Sequence, residues 1–111
     1  MPKISISTNH HLDQSVVTAM LKSKMAVALQ EHASAVRDFS EHWTDEHTME
    51  FAFKVMSFSV SGLLKSLPGH MVIDVTLPFA AMMIKGMVES RLKEEIGKIL
   101  AESETRTNER L

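Results

Sequence analysis

The chain has 111 residues, 44% of them hydrophobic and 23% charged, with a formal net charge of −2, which suits one globular domain able to bury a core without staples. The absence of cysteine excludes disulfides and thiolate zinc sites and is compatible with a reducing cytosol, and the slightly acidic balance gives no electrostatic support for nucleic-acid binding. The opening MPKISIST lacks the apolar region of a signal peptide, and the longest strongly apolar run, Leu77 to Ile84, is too short to cross a bilayer, so a cytoplasmic protein without a transmembrane segment is expected.

Along the chain, Lys3 to Ser7 alternates Ile4 and Ile6 with polar residues, the period-two signature of a half-buried strand. From about Leu12 the period changes. Val17, Leu21, Met25, Ala28, His32, Ala35, Val36 and Phe39 fall at helical spacing, which predicts one long helix, capped by Asp13 and unbroken by Gly or Pro before Ser40. Met20, Val27 and Leu29 widen its apolar side, so it is expected to lie flat on a sheet with Lys22, Gln30, Glu31 and Arg37 in water.

Glu41 to Thr44, around the single Trp43, reads as a short edge strand ending in the turn Asp45-Glu46-His47. Met49, Phe51, Phe53 and Val55 then alternate with Glu50, Ala52 and Lys54, after which the parity flips and Phe58, Val60, Gly62 and Leu64 continue the apolar face. A two-residue turn at Met56-Ser57 would bring Val55 opposite Phe58 and keep that face, although Met-Ser is poor turn chemistry and a bulge in one longer strand is the alternative. Pro68-Gly69 is a stronger turn signal, and beyond it Met71, Ile73, Val75 and Leu77 alternate with Asp74 and Thr76.

Leu77 to Leu100 is predicted as one helix with Thr76 as cap and Pro78 at its first position. Ala81, Ile84, Val88, Leu92, Ile96 and Ile99 recur at threes and fours and define the core stripe. Phe79, Met82, Met83 and Gly86 lie on roughly the opposite side, with Met87 following, so the first turns are apolar nearly all round. The second half is charged, with Glu89, Arg91, Lys93, Glu94, Glu95 and Lys98. Ala101 to Leu111 has no apolar periodicity and is expected to be a solvated tail, which sets a domain of residues 1–100 and a tail of 101–111. The order β-α-β-β-β-β-α implies a two-layer α+β domain, an antiparallel sheet of about five strands with both helices on one face. The other face, with Glu50, Lys54, Ser57, Ser59, Ser61, Lys65 and Asp74, is left to water.

No residue pattern points to catalysis. His10-His11 and the pair His42 and His47 invite a metal, with Asp45 or Glu46 as oxygen donors, but adjacent histidines converge poorly on one ion and the His42 to His47 spacing matches no helical pair or zinc-knuckle pattern. His32 reads as a packed or boundary histidine. Ser57, Ser59 and Ser61 alternate on a wet strand face, and glycines 62, 69, 86 and 97 are too scattered for a phosphate loop. Neither a cofactor, a metal nor an enzymatic activity is expected. The nine methionines mark either an adaptable core or a contact surface.

The succession PKISI, a long helix, a Trp-containing strand, FSVSGLLKSL, and HMVIDVTLPFAAMMIKGMVESRLKEEIGKIL resembles the polyhydroxyalkanoic acid system family over most of residues 2 to 100. Its markers are Ser61-Gly62, the Leu77-Pro78 junction and the Lys85-Gly86 step; the Met-Met-rich helix start and the polar end beyond Leu100 depart from it. Members are small bacterial proteins encoded near granule-associated genes, with no established activity. The resemblance implies no catalytic residues, only an association with polyester storage granules that rests on gene neighbourhood.

Two functional readings follow. In one, the patch of Phe79, Met82, Met83, Gly86 and Met87 binds a hydrophobic surface: a granule, a granule protein, or a second copy in a homodimer. In the other, a cavity between the sheet and the last helix, lined by Phe51, Phe53, Val60, Ile73 and Ile84, takes a small hydrophobic ligand. For the first reading, the competing possibility is that the helix start is simply sandwiched in the core.

Overall fold

In the computed structural model of the chain, the described residues are 2–30 and 36–109. The elements are β1 (Lys3–Asn9), α1 (Gln14–Gln30), β2 (Val36–Asp45), β3 (Thr48–Val55), β4 (Phe58–Leu67), β5 (His70–Thr76), a 3₁₀ helix (Phe79–Ile84) and α2 (Lys85–Glu109). The strands form one antiparallel sheet, as expected, and the structure places them in the order β1-β5-β4-β3-β2, so the first strand lies beside the last.

Turn chemistry sets the register. Val55 pairs with Phe58 across Met56-Ser57, the hairpin rather than the bulge, with Met56 at a positive φ of 59°. Leu67 pairs with His70 across Pro68-Gly69, where Gly69 supplies a φ of 79° that a side chain would oppose. In the turn after β2, the Asp45 carboxylate accepts the His47 N–H at 2.9 Å. This bond, helped by the Thr48 side chain, holds the Asp45 carboxyl below the usual aspartate range.

One sheet face carries Ile4, Ile6, Met49, Phe51, Phe53, Val55, Val60, Leu64, Met71, Ile73 and Val75, all buried under the helices. α1 presents Val17, Met20, Leu21 and Met25 to it, and α2 presents Val88, Leu92, Ile96 and Ile99. Polar pegs fix α1: the Gln14 amide donates to the Ser66 carbonyl at 2.8 Å, and the Thr18 hydroxyl meets His47 Nδ1 at 2.7 Å. Sequence reading missed these pegs, because only the fold brings Thr18 to the β2–β3 turn. Lys22 lies 4.9 Å over the Trp43 ring, and Lys24 pairs with Glu102 of α2 at 3.5 Å.

Two predicted boundaries are corrected. The first helix does not run to Ser40: α1 ends at Gln30, and Val36, Arg37 and Phe39 belong to β2. His32 and Ala35 lie outside the described residues. The misreading has a structural cause. The register shift between Arg37 and Ser40, with Asp38 at a φ of 54°, adds a residue, so Val36 and Phe39 both pack on the core at a spacing of three that imitates a helix. Within α1, Val27 is 51% exposed and does not widen the buried side.

The last helix also starts later than Leu77. Leu77 is extended and buried, and its N–H bonds to the Pro2 carbonyl at 3.0 Å, continuing the β1–β5 pairing. Thr76 is the last residue of β5 rather than a cap, and Pro78 holds φ −66° and ψ 153° just before the helical residues. A residue before proline is driven out of the helical region, which explains the delay. α2 runs on to Glu109, through the polar segment that follows Leu100.

Candidate functional site

The turn between β5 and α2 is built by two constraints. Pro78 ends the strand, and its carbonyl accepts the Ala81 N–H at 2.9 Å, starting the 3₁₀ helix. With three residues per turn, side chains at i and i+3 eclipse. Ala81 and Ile84 therefore stack inward, Ala81 fully buried and Ile84 packed on the core margin. Phe79 and Met82 stack on one outward side, and Ala80 and Met83 on another.

The outward side chains are bare. Phe79 is 72% exposed, Met82 51%, Met83 95% and Met87 42%, and Gly86 is exposed between the last two methionines. The predicted patch residues are thus exposed in succession along the 3₁₀ helix and the first turn of α2, and they are not sandwiched in the core. Ala80, exposed beside Phe79, was not picked out by sequence reading. The patch offers an aromatic ring and three thioethers, groups suited to dispersion contact with an irregular apolar surface. It is followed on α2 by ion pairs of Lys93 with Glu89 at 3.3 Å and Lys98 with Glu94 at 3.7 Å.

Of the predicted ligand-cavity residues, Ile84 lies in this same 3₁₀ helix and the other four lie in the sheet. Phe51, Phe53, Val60 and Ile73 are packed in the core, none more than 4% exposed. The Phe51 and Phe53 rings stack at 6.1 Å, and Phe51 presses on Gly62, so that a Cβ built at Gly62 would lie 2.4 Å from Phe51 Cζ. Hollows of about 630 Å³ and about 170 Å³ open instead on the outer face, the larger beside Glu50, Ala52, Ser61 and Asp74.

The histidines are dispersed by the fold. His42 is exposed on β2, whereas His47 is half-buried against Thr18. His10 Nδ1 accepts the Leu12 N–H at 3.1 Å, and its Nε2 is buried without a partner among the described residues. Burial, with the neighbouring His70 and His11, pushes the His10 imidazole below its ordinary value. Among the described residues no group of three or more histidine or acidic side chains is arranged to hold a metal ion, and no helix is long and apolar enough to cross a membrane.

The crystal structure of TTHA0849 from Thermus thermophilus superposes with a TM-score of 0.59 over 92% of this chain and 96% of that one, at 15% sequence identity, a likeness of fold alone. No curated protein sequence matches the chain. The family model described as "Putative polyhydroxyalkanoic acid system protein" matches residues 4–100, from the second residue of β1 to the buried Leu100 of α2, and the chain belongs to that family.

Proposed function

We propose that this chain is a non-catalytic cytoplasmic protein that attaches to polyhydroxyalkanoate granules through the turn formed by Phe79, Met82, Met83, Gly86 and Met87. The observation that carries the reading is the exposure of this run, with Met83 95% exposed beside Phe79 at 72%. Family membership supplies the granule context. Fully burying an apolar side chain of this size is worth about 1.5–3 kcal/mol, so a few of them suffice for reversible attachment to an apolar surface. The ligand-module alternative needs space under α2, where Phe51, Phe53, Val60 and Ile73 are packed against their neighbours.

The test is co-sedimentation with polyhydroxybutyrate particles. Wild-type protein is expected to pellet with the particles, and Met83→Glu to bind roughly tenfold or more weakly, since the loss of one buried side chain exceeds the ~1.4 kcal/mol that makes a factor of ten. Its fold should be unchanged, because the side chain touches little. Equal binding by both proteins, or none by the wild type, contradicts the reading.

A further inference from the structure

The sheet has two edges, β1 and β2, and they are built differently. β2 is broken by register shifts between Arg37 and Ser40 and between Trp43 and Asp45. It also exposes Arg37, Asp38, Glu41 and Asp45, so an incoming strand would meet a bent, charged edge. β1 pairs with β5 in unbroken register from Lys3 opposite Thr76 to Asn9 opposite His70.

The Pro2 carbonyl accepts the Leu77 N–H, and the His10 N–H donates to the Gly69 carbonyl. The even-numbered residues of this segment therefore turn their backbone groups toward β5. By the alternation of an antiparallel ladder, the N–H and C=O groups of Lys3, Ser5, Ser7 and Asn9 point away from the sheet. All four residues are exposed, and no backbone partner for these groups occurs among the described residues.

We propose that β1 is the seam of a homodimer, in which two copies pair antiparallel about a two-fold axis at Ile6 and join their sheets into one. In that register the outward groups of all four residues are satisfied at once. Lys3 faces the second copy's Asn9, Ser5 faces its Ser7, Ile4 faces its Thr8, and Ile6 faces its own copy. The only charged residue of the strand thus meets a neutral amide, and no like charges are opposed. A two-fold contact of this kind is self-complementary and closes on itself. It uses none of the patch residues.

Light scattering over a range of concentrations tests the seam. The wild-type mass should rise toward twice the 12.4 kDa of one chain. Ser7→Pro removes an N–H that bonds to nothing within the chain, a substitution that edge strands tolerate. It should give the mass of one chain with wild-type far-UV signal and unfolding midpoint. The double variant Ser5→Lys/Ser7→Lys should also be monomeric, because each introduced charge faces its like, whereas Ser5→Lys/Ser7→Glu should restore the dimer. Both doubles lose the Ser5 hydroxyl bond to Asp74 at 2.8 Å, so that loss cannot separate them. A wild type that stays at one chain mass throughout, or a dimer that survives Ser7→Pro, overturns the proposal. A dimer dissolved by Met83→Glu instead would place the contact at the patch.

Discussion

Gly62 shows how a single residue position is fixed by the fold. It sits inside β4 directly opposite Phe51, and a Cβ there would come within 2.4 Å of Phe51 Cζ and 2.8 Å of the Asp74 carbonyl oxygen. The ring cannot swing aside freely, being 3% exposed and stacked on Phe53. The Ser61-Gly62 step that marks the family resemblance therefore has a packing explanation. Gly62→Ala is expected to cost about 1–3 kcal/mol, the usual range for overpacking a filled core. Urea unfolding at fixed pH measures it, and an unchanged midpoint would show that the ring is not pinned.

At the scale of elements, the β3–β4 hairpin holds Met56 at a φ of 59°, a conformation that costs a side-chain-bearing residue about 1–2 kcal/mol. The side chain is 62% exposed and contributes little packing in return. Met56→Gly should therefore raise stability by about 0.5–1 kcal/mol after the entropy lost by glycine on folding. A lower unfolding midpoint would contradict this. The same hairpin was legible in the sequence because pairing Val55 with Phe58 preserves the buried face, even though Met-Ser is unfavourable turn chemistry.

β2 was only half legible, for a related reason. Its bulge adds a residue between Arg37 and Ser40 and so breaks the period-two alternation, the main signal of a half-buried strand. Once that period is broken, Val36 and Phe39 fit the helix template better than the strand template. The start of the last helix was misplaced because Pro78 suits a first helical position as well as it suits the place it holds, between strand and 3₁₀ turn. The patch was legible in composition, since Phe79, Met82 and Met83 cannot all share a face with Ala81 and Ile84. Whether the second face was core or surface depended on what lay above it, which only the arrangement of the layers decides.

At the scale of the whole molecule, one face of the sheet is consumed by α1 and α2, the other is mostly polar, and among the described residues the strongest apolar exposure is gathered where β5 hands over to α2. Granule attachment through that turn is the central claim, and the methionines provide their own reporters. Met82, Met83 and Met87 are exposed, whereas Met25, Met49 and Met71 are at most 1% exposed and serve as internal controls. Exposed thioethers oxidise to sulfoxides while buried ones are shielded. The direct measurement is oxidation of each methionine by mild peroxide, read by peptide mass spectrometry with and without polyhydroxybutyrate particles. The expected result is that bound protein oxidises several-fold more slowly at Met82, Met83 and Met87, with Met56, exposed on the β3–β4 turn, unaffected. Unchanged oxidation at Met83 in protein that has pelleted with the particles would contradict the claim.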